Sequence, residues 1–390
     1  MRVILVLNSG SSSIKFALID AEKKETQIAG LAERLGEGTG KITFKHQGEK
    51  RVDEIPDANH EKALAVIVKE LGKHQQYDVI AVGHRVVHGG EFFSHSCLVD
   101  ENTLDRLKEC SNLAPLHNPA NMAGIRAAQK AYPHLPQSVV FDTAFHQTLP
   151  EENYLYAIPY GYYREYGIRR YGFHGTSYRY ISRTVPRYNG GIMPEKMIVA
   201  HLGNGASVCA IKEGQAVATS MGLTPLDGLI QGTRCGAIDP SIVSFLVEKT
   251  GKDDAVITDE LWKKSGLLGL SELSNDCREL EEKAQAGDAA CQRALSVFVA
   301  RLTEVIGGYA GLMNGVDALV FTGGIGENST YLRAQTVANF TYLGFALSTE
   351  HNEQTVRGKD GNIATADSRP IWVIPTDEEL MIVEDTLELI

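Results

Sequence analysis

The chain has 390 residues, 43% hydrophobic and 22% charged, enough for two separate cores, since a single core stops growing near ~250–300 residues. Its net charge of −11 argues against a nucleic-acid partner, because phosphate backbones demand basic patches. No uninterrupted apolar run reaches the ~18–20 residues of a membrane span, the N-terminus lacks a secretory signal pattern, and the six cysteines form no CxxC pair, so the expectation is a reduced, cytoplasmic protein without a membrane partner.

The chain opens with two apolar runs, Val3–Leu7 and Ile14–Ile19, separated by small polar residues in NSGSSSIK. This predicts strand, tight loop, strand. Residues 20–60 alternate weakly at Lys41–Phe44 and predict a hairpin or meander. Glu61–Leu71 has helical period, Tyr77–Val87 reads as a buried strand running into Arg85, and Asn118-Pro119 predicts a helix with Asn118 as N-cap. Ser138–Phe141 is a further short strand.

About 195 residues after the opening stretch, Met197–Leu202, Gly203-Asn204-Gly205 and Ser207–Ile211 repeat its design, which suggests two related halves. Asp288–Leu312 predicts a long amphipathic helix with Ala294, Leu295, Val297, Phe298, Leu302, Val305 and Ile306 on its apolar side. Leu319–Phe321 and Ile371–Ile374 are strands, and Thr376-Asp-Glu-Glu379 reads as a capping box before a last helix over 380–389. Strands alternating with helices make an α/β protein, and without a low-complexity linker its domains are expected to pack closely around a cleft.

Three turns that follow buried strands, NSGSSSIK, HLGNGAS and TGGIGENS, let backbone amides approach an anion, which points to a polyphosphate nucleotide. Familiar nucleotide loops are absent. GEGTGKIT has the wrong glycine spacing and Ile42 where Ser or Thr would meet magnesium, and TGGIGENS lacks the GxGxxG spacing. HRVVH at 84–88 is read as structural rather than metal-binding, while Arg85, at the end of a buried strand, asks for an anionic partner. Asp142 ends a strand, His174 sits among glycines and aromatics, and Arg234 stands in a tight loop, GTRCG. Each has an ordinary structural explanation beside a functional one.

Taken together, NSGSSSIK, HRVVHGG, PLHNP, DTAFHQTLP, RRYGFHGTS, HLGNGAS, GTRCG, NDCRE, TGGIGENS and the TDEE helix occur in this order over nearly the whole chain. The set resembles the acetate kinase family of short-chain carboxylate kinases. That resemblance implies an α/β fold of two duplicated ribonuclease H-like, actin-like domains of the sugar kinase, Hsp70 and actin superfamily, with an interdomain cleft. It also implies residues 1–145 with 377–390 as an N-terminal domain and 146–376 as a nucleotide-binding C-terminal domain. The implied reaction is direct, reversible, in-line transfer from ATP to acetate, giving acetyl phosphate and ADP, by a homodimer using magnesium or manganese.

Carried over by resemblance, Arg85, Asp142, His174 and Arg234 are the catalytic residues. Ser11, Ser13 and Lys15 belong to the first phosphate loop, and His201, Leu202, Gly203, Asn204 and Gly205 to the second. Asp276, Cys277 and Arg278 match an adenosine-binding segment, and Gly323, Gly324, Ile325, Gly326 and Glu327 a third ATP-binding turn. Asn8 and Glu378 match the metal site, and Arg85, Val87, Leu116, His117, Phe173 and Pro225 the acyl pocket. An acceptor carboxylate with pKa near ~4–5 is already ionised at neutral pH, so Asp142 is expected to orient other groups rather than to remove a proton.

Three positions depart from the family pattern: Ala237 stands where Asp is usual, Tyr178 where His is usual, and Asp377 where Asn is usual. Ala237 removes a carboxylate expected near Arg234. Two other functions fit the same residues. One is a propionate or butyrate kinase, with mid-sized Val87 favouring acetate; the other is a non-catalytic ATP-binding module of the Hsp70 or actin type.

Overall fold

The computed structural model describes residues 1–115 and 117–390, and in it the opening apolar run becomes strand β1 (Arg2–Ser9). This strand is buried on both faces. Val3, Leu5 and Leu7 enter one core with Leu64, Ile67 and Ala128, while Ile4 and Val6 enter another with Ile382 and Val383. A strand covered on both sides has no reason to alternate, hence its continuous apolar composition.

β1 pairs antiparallel with β2 (Ser13–Asp20), and the ladder runs to Asn8 opposite Lys15 and Ser9 opposite Ile14. The strands are therefore longer than their apolar runs, and only Gly10, Ser11 and Ser12 are left as the loop. β3 (Thr26–Glu33), β4 (Gly40–His46) and β5 (Glu49–Ile55) continue as an antiparallel meander, as the weak alternation implied. β6 (Asp78–Val86) lies parallel to β1 on its other side, followed by β8 (Gln137–Phe141) and a short edge strand β7 (Cys97–Leu98). The sheet order is β5-β4-β3-β2-β1-β6-β8-β7.

The second sheet repeats this plan. β9 (Lys196–Leu202) is its centre, with β10 (Ala206–Lys212) and β11 (Gln215–Thr219) antiparallel on one side. On the other side lie β12 (Ala318–Thr322), β14 (Ile371–Val373) and β13 (Gly361–Asn362), in the order β11-β10-β9-β12-β14-β13. The series β3-β2-β1-β6-β8 and β11-β10-β9-β12-β14 match strand for strand, in an actin-like pattern. The internal likeness of the two Gly-rich hairpins is thus the sign of a duplicated domain.

The chain forms two compact units, Met1–Gln147 with Asp377–Ile390, and Thr148–Thr376. In the first, the last helix, Glu378–Leu389, returns to cover β1, β6 and β8. Gly83 makes this possible, since a Cβ there would lie 2.6 Å from Ile382 Cγ2 and 2.7 Å from Thr386 Oγ1. In the second, helix Ala289–Leu312 buries Leu295, Phe298, Leu302 and Ile306 in the core, with Asp288 as its N-cap. By length and composition alone this helix could cross a membrane, but its apolar stripe is used inside the unit.

Two capping expectations are corrected. The last helix is capped by Asp377, which accepts from Leu380 N, while Thr376 pairs with the Ser177 hydroxyl at 2.7 Å. Helix Asn118–Ala131 has His117 at its N-cap position with no capping bond. The Asn118 side chain bonds elsewhere, accepting from His88 N at 3.2 Å and donating to His88 O at 2.8 Å.

Candidate active site

In the first unit, one row of the sheet places Lys15, Asn8 and Arg85 side by side on β2, β1 and β6. Asp142 follows the end of β8, beside them. It is buried and takes both arms of the Arg85 guanidinium, Nε at 3.0 Å and Nη2 at 2.5 Å. Burial pushes the Asp142 carboxyl upward, the Arg85 fork opposes this, and the Glu378 charge adds to the rise. Asp142 and Glu378 both raise Arg85. Glu378 starts the last helix, and its neighbour Glu379 meets Lys15 Nζ at 2.7 Å. His117 is exposed, yet its charge bears on Asp142. Val87, half-buried, donates its backbone N–H to Asn121. Leu116 lies outside the described residues.

The histidines of HRVVH are structural. His84 donates Nε2–H to Gln137 Oε1 at 2.8 Å, and His88 accepts at Nδ1 from Gly90 N at 2.9 Å. In GEGTGKIT, residues 36–39 are an exposed turn, and Gly40 to Thr43 already belong to β4, with Ile42 in the core.

In the second unit, His174 holds a left-handed backbone (φ 57°) at the start of helix Gly175–Thr184. Its ring stacks on His201 at 4.1 Å, and Nδ1 meets the Ser207 hydroxyl at 2.9 Å. Tyr178, the residue that departs from the family pattern, hydrogen-bonds that same hydroxyl. His201 is tied through Nδ1 to Ser177 at 2.8 Å.

Arg234 lies over the Trp262 ring at 5.3 Å and donates from Nη1 to Gln231 Oε1 at 3.0 Å and Pro225 O at 3.3 Å. Burial alone pulls its guanidinium pKa down. A Cβ on Gly205 would lie 3.4 Å from His174 Nε2 and 3.7 Å from Arg234 Nη1, so the Gly-rich turn brings these two donors together. Phe173 is buried one residue before His174, and Pro225 is half-buried.

A cavity of ≈ 840 Å³ opens beside the same turn, lined by Gly203, Asn204, Asp276, Arg278, Gly324 and Ile325 among others. Three motifs far apart in sequence thus share one cavity. Asp276 caps helix Cys277–Gln285 and pairs with its exposed neighbour Arg278 at 2.8 Å, which lowers the Asp276 pKa. The TGGIGENS stretch is less a loop than a short helix, Gly323–Asn328, directly after β12.

Other predicted ATP contacts stand behind the cavity wall. Leu202 is buried in the core, whereas Cys277, buried on its core side, also lines the cavity. Gly323, at φ 77°, faces the Leu202 carbonyl, and Gly326 also packs beneath the wall. Glu327 accepts from Gly323 N at 2.9 Å, and burial raises its pKa. Ser11 is exposed and Ser13 half-buried in the first-unit loop.

Sequence reading missed the amides that hold these parts. Asn121, buried, accepts from Val87 N at 3.1 Å and donates to Ser9 O at 2.6 Å, tying together the ends of β6 and β1 where Arg85 and Asn8 sit. Gln231 does the same for Arg234. An isolated Asn or Gln carries no spacing signal, since its partners are distant in sequence. At the departure Ala237, the N–H goes to Gly228 O at 2.9 Å, and the residue lines a surface cavity with Gly228, Ile238 and Arg301.

The model of the acetokinase family matches residues 3–384. An acetate kinase of Dichelobacter nodosus is 52% identical over 390 residues, covering 100% of this chain and 99% of its own. Among solved structures, an acetate kinase of Porphyromonas gingivalis superposes with TM-score 0.96 at 41% identity, over 100% of both chains. A propionate kinase of Francisella tularensis superposes with TM-score 0.93 at 43% identity, again over 100% of both.

Proposed function

The chain belongs to the acetokinase family, and from this premise we propose that it transfers a phosphoryl group reversibly from ATP to acetate, giving acetyl phosphate and ADP. The observation that carries the reading is the meeting of His174 Nε2 and Arg234 Nη1 at the Gly205 turn, beside the cavity that gathers the three nucleotide motifs. Phosphoryl transfer through a loose transition state needs alignment and charge stabilisation above all. Arg234 and His174 present such donors. Arg85 and Asp142 form a fixed pair, so Asp142 aims Arg85 and no general base is required for an acceptor already ionised.

In this reading the second unit holds the nucleotide. Asp276 and Arg278 face the adenosine, and Gly203, Asn204, Gly324 and Ile325 offer close backbone approach. Ser11, Ser13 and Lys15 of the first unit serve the phosphates. Magnesium fits the donors present: Asn8 and Glu378 offer hard oxygens, and magnesium takes only one or two protein ligands beside phosphate oxygens and water. When bound, the ion would neutralise charge on the transferring phosphate.

The reading extends to a cytoplasmic homodimer without a nucleic-acid partner. Helix Ser241–Thr250 supports the dimer, since it buries none of its residues and leaves Phe245 57% exposed. Propionate is the second candidate acceptor, favoured by the likeness to the propionate kinase; one methylene changes discrimination by only ~1–3 kcal/mol. A hydroxamate assay with magnesium-ATP and acetate, propionate or butyrate in turn decides. Acetate is expected to be fastest. Propionate fastest moves the acceptor assignment, and no acyl phosphate from any acid sinks the proposal.

A further inference from the structure

Two arginines in this protein are held in opposite ways. Arg85 is gripped by the Asp142 carboxylate through two hydrogen bonds, so its charge is matched inside its own unit. Arg234 has only neutral partners: Gln231 Oε1, the Pro225 carbonyl and the face of Trp262. No carboxylate pairs with it among the described residues, and the ordinary reason for a fixed, uncompensated guanidinium is an anion to come.

Gln231 holds that arrangement together. It is completely buried, and all of its side-chain bonds point at the site. Oε1 accepts from Arg234 Nη1 at 3.0 Å and from Ala206 N at 3.3 Å, just after the Gly-rich turn. Nε2 donates to Pro225 O at 2.8 Å, the same carbonyl that Arg234 approaches. One amide thus joins the arginine, the Gly203–Gly205 turn and Pro225. The adjacent Gly232 completes the contact, with its N–H on Asn204 O at 2.9 Å and no room for a Cβ, which would lie 1.8 Å from Asn204 Oδ1.

We infer that Gln231 is the positioning residue for Arg234, aiming its guanidinium at an incoming phosphate or carboxylate while leaving its charge unspent. The inference rests on the function proposed above for the nature of the anion. A carboxylate at position 231 could keep the acceptor geometry but would neutralise the arginine. Gln231→Glu and Gln231→Met both give up the Nε2–H donation to Pro225 O, so the difference between them isolates the neutralised charge from a merely structural loss.

The test compares wild type, Gln231→Glu, Gln231→Met and Arg234→Ala, with both double variants. Turnover and the binding of inorganic phosphate by calorimetry are measured, and thermal melting checks the fold. For Gln231→Glu, kcat is expected to drop ~10²-fold, as for loss of one charge-stabilising donor. Phosphate affinity should drop about tenfold or more. Gln231→Met, which frees the arginine without aiming it and gives up the bonds to Ala206 N and Pro225 O, should lose kcat and melt lower than wild type, yet bind phosphate better than Gln231→Glu. In the Arg234→Ala background neither change should cost more than about twofold, since residues that act through one another are not additive.

Gln231→Glu at wild-type activity and phosphate affinity overturns the inference. So do losses that are fully additive with Arg234→Ala. If wild type forms no acyl phosphate, the proposed function fails, and the phosphate titration still decides the role of Gln231.

Discussion

At the scale of single residues, the site depends on which side chains hold charge and which spend it. Asp142 is buried against Arg85 and has the Glu378 charge nearby. Replacing it by Asn keeps the shape but removes one arm's acceptor and the charge. Removing one partner of a buried pair commonly costs ~3–5 kcal/mol, and the quarter-exposed Arg85 side chain places this site at the lower end. Asp142→Asn is thus expected to fold, to melt lower and to lose ~10²–10³ in kcat. A variant with near wild-type kcat would show that Asp142 does not aim Arg85. The same scale explains Tyr178. Although it departs from the family pattern, its hydroxyl still reaches Ser207, the partner of His174 Nδ1, so the histidine keeps a polar support.

At the scale of elements, Asn8, Arg85, Asp142 and Glu378 sit where a strand ends or a helix begins. Asn8 and Arg85 lie near the ends of adjacent parallel strands, Asp142 directly after a third, and Glu378 on the first turn of the last helix. The approach of that helix is set by Gly83, whose missing side chain leaves room for Ile382 and Thr386. Gly83→Val would force the helix outward. Overpacking of this kind costs ~1–3 kcal/mol, and it would also shift Glu378 away from Arg85 and Asp142. The expected outcome is a lower melting temperature together with a raised requirement for magnesium in the assay. An unchanged magnesium dependence would separate the helix position from the metal site.

At the scale of the whole molecule, the chain leaves its first unit after Gln147, builds the second, and returns at Asp377 to finish the first. The first unit should lose stability in acid. Burial holds the His84 pKa down at about 4, and Arg51 and then Lys73 hold Glu70 at about 2, both in the first unit. As pH falls, the unfolded chain takes up these protons before the folded one does. Stability is therefore complete above ~6.5 for His84 and ~4.5 for Glu70, and it is lost as pH falls towards the folded values.

The histidine contribution is on the order of 3 kcal/mol. The glutamate contribution is smaller, because Arg51 and Lys73 are about half exposed and screened. Protection factors on β1 and β6, referred to the intrinsic exchange rate at each pH, should fall between pH 7 and 4.5. Unchanged protection over this range would contradict the assignment.

How much could be read in advance differs by kind of feature. The β1 and β9 hairpins were legible because each combines a buried apolar run with a Gly-rich turn, and their likeness foretold the matching sheets. Ordered motifs sufficed for the family. Helix starts were less legible: Asn118 and Thr376 look like caps, yet tertiary partners, His88 and Ser177, claim their side chains. Leu202 belongs to its motif by sequence, yet its side chain is packed in the core.

By itself the sequence determined the α/β class, the duplication, the family and the residue types available for phosphoryl transfer, because these follow from local periodicity and from motifs contiguous in the chain. Only the tertiary structure decided which charges are matched by a carboxylate and which have neutral partners. Arg85 and Arg234 look alike in sequence. They differ because folding brings a carboxylate from 57 positions away to one and a neutral amide, buried three residues upstream, to the other. Electrostatic energy depends on distance in space and on burial, and neither is written in the order of residues.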